Sequence, residues 1–121
     1  MNKLTIIIPT FNEEQNLPDC LQSAAWANEI LVVDSFSTDR SVEIAKSFKA
    51  KVLQHPYHSH ASQRNWAIPQ ASHPWVLLLD ADERISFELQ KEIQALLQTG
   101  PEKKAYRIAR RTFYFGQEAK Y

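Results

Sequence analysis

The run "WVLLLDADER", residues 75–84, drives five apolar residues straight into an acid-x-acid triplet. Residues 76–79 have the pattern of a short strand buried on both faces, as in a parallel sheet. Such a strand should not end in Asp80, Asp82 and Glu83 without a reason, because carboxylates this close repel one another unless positive charge sits among them. The triplet therefore marks a place where a cation, or a ligand that brings one, is expected.

Working outward, the rest of the chain repeats the motif of apolar run followed by helical pattern. "LTIII" (residues 4–8) is a β-branched run that Pro9 is expected to stop. Leu17, Cys20, Leu21, Ala24 and Ala25 recur at helical spacing, with Pro18 in the tolerated first turn. "EILVVD" (residues 29–34) is a second strand, and "SFSTDRS" supplies caps for a helix with Val42, Ala45 and Phe48 on one side. "KVLQ" is a third strand, and a helical segment over 59–68 precedes the strand of the opening run. Ser86 caps a fourth helix whose Leu89, Ile93, Leu96 and Leu97 form one stripe, closed by Gly100 and Pro101. "AYRIARRTFYF" (residues 105–115) has the composition of one final strand.

This alternation predicts an α/β domain over residues 1–121, an open and mostly parallel Rossmann-like sheet with helices on both faces. In such sheets ligands bind beyond the carboxyl ends of the strands, where strand order reverses. The first strand ends in "PTFNE", the second in Asp34-Ser35 and the fourth in Asp80-Ala81-Asp82, so all three polar endings fall on one edge. Oxygen ligands there suit Mg²⁺ or Mn²⁺ with a diphosphate. A carboxylate at a strand end can equally accept hydrogen bonds from ribose hydroxyls or a base N–H.

Composition narrows the classes further. Lys+Arg and Asp+Glu balance at 14 each, so no global field draws the 121-residue chain to nucleic acid. Two glycines, Gly100 and Gly116, are too few for a Walker loop or a G-x-G-x-x-G turn. The single cysteine, Cys20, excludes an internal disulfide and fits a reducing cytoplasm. "MNKLT" lacks the apolar stretch of a signal peptide. His55, His58 and His60 match no common closed zinc site. Trp26, Trp66 and Trp75 sit beside apolar positions and are expected in the core rather than as sugar platforms.

"IIIPTFNEEQNL", "LVVDSFSTDRS", "QRNWA" and "LLLDADE", in this order and spacing, resemble the family 2 glycosyltransferases of the GT-A fold, especially the branch similar to lipopolysaccharide core β-glucosyltransferases. The resemblance implies an inverting transfer of sugar from a nucleotide diphosphate donor, a UDP-sugar by expectation, to a glycan or glycolipid acceptor in cell-envelope synthesis. It implies Mg²⁺ or Mn²⁺ and no organic cofactor. Carried over by position, Pro9, Thr10, Asn12 and Glu13 line the nucleotide pocket, and Asp34 with Ser35 contacts base or ribose. Arg64 is the basic residue beside the nucleotide, Asp80 with Ala81 lies on the ribose side, and Asp82 binds the metal. Glu83 is expected to support that site rather than to ligate. The sequence departs from the family at Phe36, where a glycine is common.

No residue fits the general base of an inverting transfer. The resemblance puts that base beyond Tyr121, so the chain is expected to be the donor-binding part of a longer enzyme in the cytoplasm, at the inner face of the cell membrane. The basic stretch of Lys103, Lys104, Arg107, Arg110 and Arg111 reads as a solvated strand face or as a peripheral contact with an anionic acceptor or membrane. The aromatic load of Tyr106, Phe113, Tyr114 and Phe115 predicts an end that is exposed, self-associating or covered by a further layer. A nucleotide-sugar-binding module without catalysis would show the same motifs. A sugar-phosphate nucleotidyltransferase would share the acids, but its glycine- and arginine-rich first loop is missing from "PTFNEEQN".

Overall fold

The computed structural model describes residues 2–99 with their side chains, and the backbone of 105–108 and 111–114. In chain order the elements are β1 (Leu4–Thr10), α1 (Leu17–Ala24), β2 (Glu29–Asp34), α2 (Ser41–Ser47), β3 (Lys51–Gln54), α3 (His60–Ala67) with a 3₁₀ turn (Ile68–Gln70), β4 (Trp75–Leu78), α4 (Phe87–Thr99), β5 (Ala105–Ile108) and β6 (Arg111–Tyr114). They form a 6-stranded sheet in the order β3-β2-β1-β4-β6-β5. β3, β2, β1 and β4 run parallel, and β6 pairs antiparallel with both β4 and β5. The open, mostly parallel α/β sheet read from the sequence is the fold observed.

Strand alternation divides the apolar side chains between two layers. Ile6, Ile8, Val32, Leu77 and Leu79 pack with Leu17, Cys20 and Leu21 of α1, Ala45 of α2, and Ile93 and Leu97 of α4. On the other face Ile7, Leu31, Val33 and Val76 pack with Ala67 and Ile68, at the end of α3 and the start of the 3₁₀ turn, and with Ala71. Helices therefore cover both faces, and the middles of the central strands (residues 6–8, 31–33 and 76–78) are apolar at successive positions because neither face meets water. Trp75 is buried, and Trp26 and Trp66 are partly buried against these clusters.

Two expectations are corrected. Pro9 does not stop β1, which continues to Thr10 with Pro9 opposite Val33 of β2. The Ile7 carbonyl accepts the Leu79 N–H (2.9 Å), whereas the Thr10 carbonyl accepts the Ser35 N–H (2.9 Å). Alternate residues thus face alternate neighbours, and Pro9 shares the parity of Ile7, toward β4. Its missing N–H falls where that ladder has already ended, so it costs β1 no hydrogen bond to β2. Second, "AYRIARRTFYF" is not one strand: β5 and β6 pair with each other, Tyr106 opposite Phe113. Composition alone cannot separate one long strand from two short ones. The expected exposure or self-association of this end depends on side chains outside the described residues, as does the closure of α4 by Gly100 and Pro101.

Smaller departures are local. α2 buries Ser41 and Ala45, while Phe48, expected on its inner side, is 36% exposed beyond the helix end. α3 begins at His60 behind the cap Ser59, whose hydroxyl accepts the Ser62 N–H (3.0 Å). Among the described residues no helix is long and apolar enough to cross a membrane.

Candidate functional site

β1 is followed toward one side of the sheet by β2 and β3, and β4 lies on its other side, so strand order reverses between β1 and β4. Past the carboxyl ends of these strands a cleft of about 690 Å³ opens. Pro9, Thr10, Phe11 and Glu13 line it from the end of β1, and Ser35 from the end of β2. Leu78, Asp80, Ala81 and Asp82 line it at β4, while Tyr57, His60, Gln63 and Arg64 close it from the side of α3. This is the crevice in which open α/β sheets hold ligands. The loss of β1–β4 pairing after Leu79 lets the two strand ends part there.

Of the residues expected at the site, Pro9, Thr10, Glu13, Ser35, Arg64, Asp80, Ala81 and Asp82 meet in this cleft, while Asn12 and Asp34 lie outside its wall. Asn12 and Asp34 instead tie together the loops after β1 and β2. Asn12, at φ 50°, accepts on Oδ1 the N–H groups of Thr38 (2.8 Å) and Asp39 (3.3 Å), and its own N–H donates to Ser37 Oγ (2.8 Å). In return, Glu13 N–H donates to Ser41 Oγ (2.9 Å) and Glu14 N–H to Asp39 Oδ2 (3.1 Å). Asp34 is fully buried and accepts both the N–H (2.9 Å) and the hydroxyl of Ser37. Its parity is that of Val32, toward α1 and α2, whereas Ser35 lies on the side of α3. Asp39 closes the clasp by accepting Ser41 N–H (2.9 Å) and Oγ–H (2.6 Å). Desolvation raises its pKa, but the hydrogen bonds from Ser41 and from the Glu14 backbone outweigh this and hold it below the ordinary aspartate value.

Phe36, the departure from the family pattern, adopts φ 60° and stands 57% exposed. The backbone there keeps the left-handed conformation that glycine favours, held by Phe36 N–H donating to Gln54 Oε1 (3.1 Å). The bulky side chain is accommodated by pointing outward rather than by a different backbone.

At the end of β4, ligand oxygens of Asp80, Asp82 and Glu83 all lie within 4.8 Å of one another. Among the described residues this is the one group of three or more acidic, histidine or cysteine side chains so placed. Glu83 also braces the turn, its Oε1 accepting the Asp80 N–H (3.0 Å) and its N–H donating to the Asp80 carbonyl (2.9 Å). The Asp80 and Asp82 carboxylates are exposed. The donor set is all oxygen and opens on the cleft, so the residues present fit a hard divalent cation that also takes phosphate oxygens.

Sequence reading missed Phe11, Tyr57, His60, Gln63 and Leu78 as cleft residues. The helical period held a signal for one of them: His60 lies four residues before Arg64 and shares its face. Gln63 adjoins Arg64 in "QRN", but only packing shows that its buried amide reaches Ser35 Oγ (3.0 Å).

The glycosyl transferase family 2 model matches residues 5–115. The chain is 33% identical over 118 residues to the lipopolysaccharide core biosynthesis glycosyltransferase LpsC of Rhizobium meliloti (strain 1021), covering 93% of this chain and 44% of LpsC. It superposes on S. aureus TarS 1-349, crystallised with UDP-GlcNAc, at a TM-score of 0.70 and 30% identity, over 80% of this chain and 31% of that one. Glucosyl-3-phosphoglycerate synthase from Mycobacterium tuberculosis, crystallised with Mn²⁺, UDP and phosphoglyceric acid, matches at a TM-score of 0.69 and 21% identity, over 86% of this chain and 42% of that one. That last likeness speaks to the fold alone. The chain thus spans less than half the length of these relatives, with the GT-A architecture of the solved ones, and it belongs to glycosyl transferase family 2.

Proposed function

We propose that this chain binds the donor in an inverting transfer of sugar from a UDP-sugar to a glycan or glycolipid of the cell envelope. The observation that carries the reading is the cleft itself, where exposed Asp80 and Asp82 share one wall system with Arg64 and Ser35. LpsC supports a lipopolysaccharide acceptor, and the UDP and UDP-GlcNAc complexes of TarS support a uridine donor. Asp82 with Asp80 would hold Mg²⁺ or Mn²⁺, and Arg64 would face the nucleotide.

Asp82 and Asp80 would hold a divalent cation, which would supply neutralisation of charge on the departing diphosphate. The chain's own residues would bind and orient the donor, the clasped loops fixing the nucleoside side of the cleft. An in-line displacement also needs a base on the opposite side of the sugar. Asp80 and Asp82 would lie on the leaving-group side, so neither would serve as that base. We also place the enzyme in the cytoplasm, at the inner face of the membrane where its acceptor would be presented.

Calorimetry with UDP, GDP and their sugars, with and without Mn²⁺, tests the reading. Metal-enhanced binding of uridine nucleotides is expected. Equal affinity for GDP, or no dependence on the cation, would remove the UDP and metal assignments respectively.

A further inference from the structure

We propose that Gln63 is a positioning residue that fixes the direction of hydrogen bonding at Ser35, so that the Ser35 hydroxyl donates into the cleft and selects a uracil carbonyl over a cytosine amino group. The proposal rests on the uridine-nucleotide reading above and deepens it.

Gln63 is only 2% exposed, yet it borders the cleft. Its Nε2 donates to Ser35 Oγ (3.0 Å), and its Oε1 lies 2.9 Å from His55 Nδ1. An amide nitrogen only donates and an amide oxygen only accepts, so these contacts have one direction. With the amide in this orientation, His55 carries its proton on Nδ1. The imidazole is held in place by stacking on Trp66, with centroids 4.1 Å apart and planes at 21°. The His55 backbone is fixed as well, its N–H donating to the Asp34 carbonyl (3.0 Å). The relay therefore runs from His55 to Gln63 to Ser35.

A hydroxyl that has accepted one bond still has one proton to give. Among the described residues no protein acceptor takes the Ser35 proton, and Ser35 lines the cleft, so the proton is presented to the ligand. β2 stands two strands from β4 in the sheet. At a strand spacing of about 4.8 Å, Ser35 is roughly 10 Å from the acids, the reach from a diphosphate to its nucleobase. Uracil offers carbonyl acceptors on the edge where cytosine places an amino donor. A donor set against a donor makes no hydrogen bond, and the mismatched base binds less tightly.

The test is the ratio of UDP to CDP affinity by calorimetry in the wild-type chain, Gln63→Glu, Ser35→Ala and the double variant. Glutamate is isosteric with glutamine, but its carboxylate accepts only, so it turns the Ser35 proton inward. Its charge weakens both nucleotides alike and cancels in the ratio. The UDP preference is expected to fall on the order of tenfold in Gln63→Glu. Ser35→Ala should lower it similarly, and the double variant should match Ser35→Ala alone. A folded Gln63→Glu with an unchanged ratio would overturn the proposal. Nitrogen NMR of His55 in the ligand-free chain checks the direction separately. The Nδ1–H tautomer is expected, and an Nε2–H tautomer sinks the relay whether or not nucleotide binds. Failure of both nucleotides to bind, with the Nδ1–H tautomer present, would count against the uridine donor and leave the direction of the relay supported.

Discussion

The two edges of the sheet use the same functional group in opposite ways. At the amino edge, the Glu29 carboxylate accepts Thr5 Oγ1–H (2.8 Å), Ser72 N–H (2.9 Å) and Ser72 Oγ–H (2.8 Å), joining β1, β2 and the approach to β4. Asn28 beside it accepts the Leu4 N–H (2.9 Å). At the carboxyl edge, Asp80 and Asp82 stand exposed on a cleft. A carboxylate whose oxygens are filled by the protein holds the fold; one left facing a cavity is available to a ligand. Asp34 shows that the distinction is not simply one of edge, since it ends a strand beside the cleft yet is filled by Ser37.

The contrast is broken most directly at the open acids. Asp82→Asn should lower Mn²⁺-dependent UDP affinity on the order of 100-fold, about 2.7 kcal/mol, with an unchanged unfolding midpoint. Calorimetry and denaturant unfolding read the two quantities separately, and a shifted midpoint would show Asp82 to be part of the fold. Asp34→Ala sits between the two kinds. It should cost about 1–3 kcal/mol of stability by stranding the Ser37 N–H, and it should weaken UDP binding with or without metal.

Glu29→Gln should cost about 1 kcal/mol in denaturant unfolding and leave UDP affinity untouched. Its pH dependence sharpens the point. Desolvation pushes the Glu29 pKa up, but the Ser72 and Thr5 hydrogen bonds and the nearby Lys51 charge outweigh it, so it lies below the ordinary value of 4.5. A depressed carboxylate stabilises fully above its unfolded pKa and loses that contribution as pH falls through the folded one. The acid limb of the stability curve below pH 4.5 should therefore flatten in Glu29→Gln. The smallest effect is expected at Phe36→Gly, which relieves a left-handed backbone and should raise stability by up to about 1 kcal/mol.

What could be read in the sequence was whatever repeats with a period. The β-branched runs and helical stripes disclosed the parallel sheet, and the shared polar endings marked the edge at which the cleft opens. Parity is also legible in principle: Asp34 and Ser35 are adjacent and therefore opposed, although the family resemblance implies one ligand for both. The pairing of β5 with β6 depends on where a chain turns, which composition does not encode. The Gln63 amide was hidden for a different reason. Its partners lie at the ends of other elements, and helical periodicity describes what a helix buries, not which polar group it meets there.

The interlock between residues 12–14 and 37–41 constrains how this protein could be re-engineered. Each loop supplies side chains that satisfy the other's backbone, from Asn12 on Thr38 and Asp39 to Ser41 on Glu13. Neither loop is an independent cassette. Transplanting one of them from a relative with a different donor would strand amide groups in the other, and the chimera would lose order before it gained a new preference. A donor-switching graft has to move both loops as one piece, with Asp34 and Ser37 travelling as its anchor.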